Sequence, residues 1–153
     1  MNSDKERPAI ILLAEDDPGD QELTRRALAE GKIKNELHIV ENGEEALDYL
    51  FRRGKYTDPQ SSPWPDLFLL DLNMPKIDGR RLLQELKEAK DLPHLVTVVL
   101  TTSSQEEDIL RSYDLGVKSF ITKPVDFQQF IDLIQNLENY WFQVVVLPSR
   151  GTR

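Results

Sequence analysis

Short apolar runs alternate along the chain with stretches that have a helical period. Residues 9–14 spell AIILLA, residues 67–70 spell LFLL and residues 95–100 spell LVTVVL. Unbroken apolar runs of this length are typical of strands buried on both faces, as in a parallel sheet. Two weaker runs, Glu36–Glu41 and Ser119–Thr122, bring the number of predicted strands to five.

A helical pattern follows each predicted strand. Asp17 before Pro18 is a favourable N-cap and first helical residue, and Ser104 with Glu107 matches a capping box. The remaining helices are predicted after Asn42-Gly43, from about Gly79 to Lys90, and from Asp126 to Trp141. Strand and helix thus alternate five times, which predicts an α/β fold, a parallel sheet with helices on both faces.

Composition excludes several classes of protein and leaves the predicted fold unchanged. A chain of 153 residues is most simply one domain, and the absence of cysteine excludes disulfides and thiolate metal sites. The net charge of −8 argues against a nucleic-acid or membrane surface. No apolar run approaches the roughly 20 residues of a membrane span, and the polar start is no signal peptide, so we expect a cytoplasmic protein.

Charged and hydroxyl side chains stand at the carboxyl ends of the predicted strands. Glu15 and Asp16 follow the first strand, Asp71 ends the third, Thr101 follows the fourth and Lys123 follows the fifth. Open α/β sheets bind ligands at this edge. We therefore expect three carboxylates, a hydroxyl and an ammonium to share one crevice.

Such a crevice suits phosphoryl chemistry. Clustered carboxylates favour a cation, and oxygen ligands without His or Cys favour Mg²⁺. Asp71 could then act as a nucleophile toward a phosphoryl group, with Lys123 neutralising the phosphoryl oxygens. Thr101 could hydrogen-bond the phosphoryl group only after modification and so act as a switch.

Taken together, Glu15-Asp16, Asp71 within DLNMPKIDG, Thr101-Thr102 and Lys123-Pro124 resemble the receiver domain of two-component response regulators. The resemblance implies a flavodoxin-like, doubly wound sheet in strand order 2-1-3-4-5. It also implies a non-enzymatic signalling protein that catalyses its own phosphorylation by a sensor histidine kinase and its own slow dephosphorylation.

The resemblance also assigns roles to single residues. Asp71 matches the phosphoacceptor, and Mg²⁺ would be held by Asp16 and Asp71 directly and by Glu15 through water. The other assignments are the backbone carbonyl of Asn73 as a metal ligand, Lys123 as the phosphoryl partner, Thr101 and Phe120 as the switch pair, and Asn73 and Ser103 as tuners of dephosphorylation. Phe120 could equally be an ordinary core aromatic.

Two segments depart from a compact receiver. Residues 52–65 form an inserted loop and residues 143–153 an extension, leaving 1–8 as a tail and 9–142 as the receiver domain. Both features look like the stand-alone regulators that serve bacterial and cyanobacterial phytochrome kinases. A second apolar line on the last predicted helix suggests a homodimer. Signalling without a DNA-binding domain would go through protein contacts or a downstream phosphotransfer protein.

Three other functions remain open at this point. An aspartyl-nucleophile Mg²⁺ phosphohydrolase usually has a second Asp where this chain has Asn73, which cannot act as a general acid. A pseudo-receiver would bind proteins without being phosphorylated, although the intact Asp71 and Lys123 argue against it. A nucleotide- or flavin-binding protein is disfavoured because no glycine-rich loop follows the first strand.

Overall fold

The computed structural model describes residues 8–30, 34–75 and 78–123, together with the single positions 128, 132 and 136. The strands are β1 (Ala9–Ala14), β2 (Asn35–Val40), β3 (Leu67–Asp71), β4 (Val96–Thr101) and β5 (Val117–Thr122). The helices are α1 (Pro18–Ala29), α2 (Gly43–Leu50), α3 (Gly79–Glu88) and α4 (Ser104–Arg111), with a 3₁₀ turn at Gly54–Tyr56. The last predicted helix, apart from those three positions, and the extension lie outside the described residues.

The five strands form one parallel sheet in the order β2-β1-β3-β4-β5. This order confirms the fold predicted from the sequence. β5 begins at Val117, two residues before the predicted start, because Val117 already pairs with Thr97, ahead of a shift in the β4–β5 register between Thr97 and Val98. Within the described part of the chain, no helix is long and apolar enough to cross a bilayer.

Side chains alternate between the two faces of the sheet and build a core on each. On one face, strand residues such as Ile11 and Leu69 pack with Ala27 and Leu28 of α1. The opposite core takes alternate strand residues together with α2, α3 and α4: Leu12, Phe68, Leu70, Val99, Leu47, Leu50, Leu82, Leu83 and Leu110. Burial on both faces explains why β1, β3 and β4 are almost uninterrupted apolar runs.

Polar N-cap side chains stabilise the first turns of the helices that follow the strands. The Asp17 side chain accepts a hydrogen bond from the Asp20 backbone N–H and caps α1 as predicted. The predicted capping box at Ser104 is wrong by one residue, since Ser103 is the N-cap of α4 and accepts from the Glu106 N–H. Both serines lie three residues before a glutamate, so spacing alone could not choose between them.

Three hydrogen bonds hold the inserted loop, two that join it to the body of the domain and one within the loop. The Tyr49 hydroxyl donates to the Pro63 carbonyl at 2.6 Å, and the Arg52 guanidinium donates to the Ser62 carbonyl at 2.8 Å. Trp64 donates its indole N–H to the His94 carbonyl at 3.1 Å. These bonds anchor the end of the loop to α2 and to the segment that enters β4.

We expect Tyr49→Phe to lower the free energy of unfolding by about 1–2 kcal/mol, because the Pro63 carbonyl loses its hydroxyl donor at a buried position. Tyr56→Phe is the matched control. Its hydroxyl makes a longer bond, 3.3 Å, to the half-buried Glu45 carboxylate, which also pairs with Lys55, so its loss should cost less, about 0.5 kcal/mol. Urea unfolding followed by circular dichroism measures both, and equal costs would contradict this account of the loop.

Candidate functional site: an acidic pocket at the carboxyl edge of the sheet

Three carboxylates meet where β1 and β3 end. β1 and β3 pair in parallel, so Glu15 and Asp16 emerge beside Asp71. One carboxylate oxygen from each residue lies within 4.8 Å of the others. Glu15 and Asp71 are only 2% and 1% exposed, whereas Asp16 faces solvent. The sequence prediction that strand ends would bring these three acids together is confirmed.

Lys123 reaches the same point from the end of β5. Its ammonium donates to Asp71 Oδ2 at 3.2 Å and contacts Glu15 Oε1 at 3.5 Å. Its backbone N–H donates to the Thr101 carbonyl at 2.8 Å, which fixes the chain just before Pro124. The shortest ion pair of Lys123, at 2.9 Å, is with Asp20 on α1, a residue that sequence reasoning did not single out.

The pKa values of two residues in the pocket are raised, one chiefly by burial and one by neighbouring carboxylates. Burial raises the pKa of Glu15 to about 8, and its hydrogen bond to Asp71 and the charge of Asp71 add to the rise. For Lys123, burial lowers the pKa, but the hydrogen bond to Asp20 and the charges of Asp71 and Glu15 outweigh it, so the net pKa is raised. The pocket thus holds a lysine ammonium whose charged form is favoured and a glutamate whose charged form is disfavoured.

The turn after β3 wraps around the Asp71 carboxylate. The Asn73 backbone N–H donates to Asp71 Oδ1 at 2.9 Å, and the Asn73 amide donates to the Thr102 hydroxyl at 3.1 Å. α3 then begins very close to this turn. A Cβ on Gly79 would lie 2.5 Å from Leu72 Cδ2, so a larger residue there would require the Leu72 side chain to move.

Thr101 is turned toward α4 rather than left without a partner. It is 1% exposed, and its hydroxyl donates to Glu106 Oε1 at 3.0 Å while accepting from the Ser103 N–H at 3.1 Å. Ser103 in turn uses its side chain to cap α4. Glu106 was missed by sequence reasoning, because an acid in the first turn of a helix is explained by the helix dipole alone.

Phe120 lies on β5 under α4. The ring is half-buried against the larger core, and the Arg111 guanidinium carbon sits 4.4 Å from the ring centroid. Arg111 is also paired with Glu107 at 2.8 Å. This placement agrees with a core aromatic held by a cation–π contact, and its role as a switch stays a prediction.

The donor set of the pocket fits a hard divalent cation. Glu15, Asp16 and Asp71 offer only oxygen ligands, which Mg²⁺ prefers, and all three can reach one point. Burial raises the pKa of Glu15, and the neighbouring Asp71 raises it further, so the charged form of Glu15 is disfavoured while only one ammonium faces two buried carboxylates. A bound cation would supply further positive charge in place of the proton.

Comparisons with known proteins identify the family. The model of the response regulator receiver domain matches residues 11–135. This chain belongs to the response regulator receiver family. The family comprises signalling phosphoacceptors that take their phosphoryl group from histidine kinases, which agrees with the alternation of strands and the acidic pocket.

Relatives are similar over almost the whole chain. Response regulator Rcp1 of Synechocystis sp. PCC 6803 is 39% identical over 149 residues, which cover 97% of this chain and 99% of Rcp1. The Mn²⁺-bound form of Rcp1 superposes with a TM-score of 0.74 at 40% identity, covering 93% of this chain and 100% of that one.

Two further structures come from light signalling. The phosphorylated cyanobacterial phytochrome response regulator RcpA is 40% identical with a TM-score of 0.76, covering 94% of this chain and 100% of RcpA. A response regulator in red-light signalling of R. palustris is 32% identical with a TM-score of 0.79, covering 92% and 99%. The receiver of this chain is thus similar to phytochrome response regulators.

We expect the metal-free protein to lose stability as the pH rises from about 6 to about 8. Glu15 ionises near pH 4.5 in the unfolded chain but near pH 8 in the folded protein. Between these values the folded state holds a proton that the unfolded state has released, so raising the pH favours unfolding. At 1.36 kcal/mol per pKa unit, the loss should be about 2 kcal/mol.

Urea unfolding in the presence of a chelator measures this pH dependence. Glu15→Gln should largely remove the loss, whereas Glu44→Gln, at an exposed position in the first turn of α2, should keep it. An unchanged pH dependence in Glu15→Gln would show that Glu15 is not the group responsible.

Proposed function

We propose that Asp71 accepts a phosphoryl group from a phosphohistidine of a sensor histidine kinase and that the modified receiver carries the signal. The observation that carries this proposal is the Asp71 carboxylate at the end of β3, with the Lys123 ammonium 3.2 Å from Oδ2. Family membership supports the reaction class, and the similarity to RcpA and Rcp1 supports a phytochrome-type kinase as the partner.

In the proposed step an Asp71 oxygen forms a P–O bond while the P–N bond of the phosphohistidine breaks. The electron pair of that bond stays on the imidazole nitrogen, so Asp71 needs no proton transfer. Lys123 donates to the transferring oxygens and neutralises part of their charge. The Asn73 N–H, which donates to Asp71 Oδ1 at 2.9 Å, holds the carboxylate plane while this occurs.

We assign Mg²⁺ to the same pocket, held by Asp16 and Asp71, by Glu15 through water and by the Asn73 backbone carbonyl. The acidic cluster supports this assignment, as does the Mn²⁺-bound form of Rcp1. When bound, the ion would neutralise charge on the phosphoryl oxygens and help to align them.

The proposed signal spreads from Asp71 through Thr101 toward α4. To bond a phosphoryl oxygen, the Thr101 hydroxyl would have to leave Glu106, to which it donates at 3.0 Å. Phe120, packed under α4, is proposed to respond to that movement, and Asn73 and Ser103 to set how fast the protein dephosphorylates itself. These two residues lie beside the pocket, at the turn after Asp71 and at the cap of α4.

The remaining partners and the location stay predictions. We propose a cytoplasmic location and a receiver at 9–142, between a tail at 1–8 and an extension at 143–153. We also propose a homodimer and a downstream phosphotransfer protein as a partner. α4 contributes one observation in favour of a protein contact there, since it and the following turn expose Ile109 and Tyr113 by 49% and 48%.

Two observations count against the other functions. A pure binding module has no use for a buried carboxylate pair shared with a single ammonium, because burying that pair is costly unless a cation occupies the pocket. A phosphohydrolase needs a general acid beside the nucleophile, and Asn73 instead donates its amide to Thr102.

We expect wild-type protein incubated with acetyl phosphate and Mg²⁺ to gain one phosphoryl group and Asp71→Asn to gain none, because the amide is a poor nucleophile. Intact-mass spectrometry measures both. A gain of one phosphoryl group in Asp71→Asn would show that another residue is the acceptor. No gain in either protein, nor from a phosphorylated histidine kinase, would favour the pseudo-receiver.

We expect Asp16→Asn to weaken Mg²⁺ binding at least roughly tenfold, because it removes a direct ligand charge. Isothermal titration calorimetry measures the dissociation constant. The matched control is Asp17→Asn, which makes the same charge change one residue later and retains an oxygen that can cap α1. Equal losses in both variants would mean that net charge, rather than coordination by Asp16, governs the affinity.

A further inference from the structure

The Lys123 ammonium has three carboxylate neighbours, and the nearest is not one of the acidic cluster. Asp20 Oδ2 lies 2.9 Å from Lys123 Nζ, against 3.2 Å for Asp71 and 3.5 Å for Glu15. Glu15 and Asp71 are buried members of the three-carboxylate cluster, which does not include Asp20. The Asp20 side chain is 39% exposed at the rim of the pocket.

Asp20 is held in place by the start of α1. Its backbone N–H donates to the capping side chain of Asp17 at 2.8 Å, and its carbonyl accepts from the Thr24 hydroxyl at 3.0 Å. Lys123 is equally fixed, with its backbone N–H on the Thr101 carbonyl and its side chain only 12% exposed. The ion pair therefore joins two anchored backbones, α1 and the end of β5.

The geometry leaves no spare donor on the ammonium. A lysine ammonium has three N–H bonds, and three carboxylates surround this one. A phosphoryl oxygen arriving at Asp71 must therefore take a donor from one of them. Phosphorylation converts the Asp71 carboxylate into an acyl phosphate, so the contact with Asp71 can pass to the phosphoryl oxygens. Asp20 keeps its charge after that change and stays 2.9 Å from the ammonium, so it is the neighbour that still competes for it.

The charge of Asp20 also favours its competing with a phosphoryl group for Lys123. The Asp20 carboxylate neutralises the cation that a phosphoryl group needs, and its negative charge opposes the negative charge of the incoming oxygens. We propose that Asp20 is a positioning residue that restrains Lys123 in the unphosphorylated protein and competes with the phosphoryl group for its ammonium. This inference rests on the proposed function, because it concerns the same acceptor site.

The test uses beryllofluoride, which binds a carboxylate as a non-covalent mimic of a phosphoryl group, in the presence of saturating Mg²⁺. Fluorine NMR of the bound ion gives its dissociation constant. Asp20→Asn, which keeps the size of the side chain but removes its charge, should bind roughly three- to fivefold more tightly, the effect expected for losing one partly exposed ion pair. A residue with a purely structural role would weaken binding or leave it unchanged.

Asp17→Asn is the matched control, with the same charge change at the same helix terminus, because among the described residues the carboxylates that pair with Lys123 are those of Glu15, Asp20 and Asp71. It should bind beryllofluoride within about twofold of wild type. If both variants bind beryllofluoride more tightly to the same extent, the change in net charge explains the effect. Weaker or unchanged binding by Asp20→Asn would contradict the proposal that Asp20 competes for Lys123.

The failure of this inference can be told from that of the proposed function. Wild type that binds beryllofluoride and gains a phosphoryl group, beside Asp20→Asn with no tighter binding, rejects the role of Asp20 alone. Wild type that does neither rejects the acceptor site and this inference with it. Equal urea midpoints for wild type and Asp20→Asn would establish that the comparison is between equally folded proteins.

Discussion

The structure depends on holding two buried carboxylates next to each other at the edge of a sheet. Glu15 and Asp71 are almost wholly inaccessible, and burying a charge without compensation is costly. Lys123 compensates part of that charge, and the raised pKa of Glu15 compensates part of the rest with a proton. The parallel sheet supplies the constraint, because its strands end side by side whatever the chemistry of the residues that follow.

That constraint explains how much of the site could be predicted from sequence. Apolar runs located β1, β3 and β4, and the residues after them had to converge once the sheet was parallel. Glu15, Asp16, Asp71 and Lys123 were therefore found without knowledge of any side-chain position. The order of the strands came from resemblance to a family, since apolar periodicity does not say which strands are neighbours.

Residues on the first turns of helices were beyond the same reasoning. Asp20 and Glu106 each hold a functional group of the pocket, yet acids at a helix N-terminus are favoured by the dipole in any protein. The capping box at α4 failed for a related reason. Ser103 and Ser104 both precede a glutamate at the right spacing, and the end of β4 at Thr101 decided between them. The spacing of Glu106 from Ser103, which matches a capping box, is a weak sequence signal that could have pointed to Glu106.

Asp20 and Glu106 have the same role in the unphosphorylated site. Asp20 accepts from Lys123 and Glu106 accepts from Thr101, so both donors that a phosphoryl group would use already have carboxylate partners. If Asp71 is phosphorylated as proposed, each bond to the phosphoryl group replaces an internal bond rather than adding one. Exchanges of this kind have a small net free energy, which keeps the two states close enough for one modification to change their populations. The acids outside the metal cluster would then set the balance between the states without taking part in the chemistry.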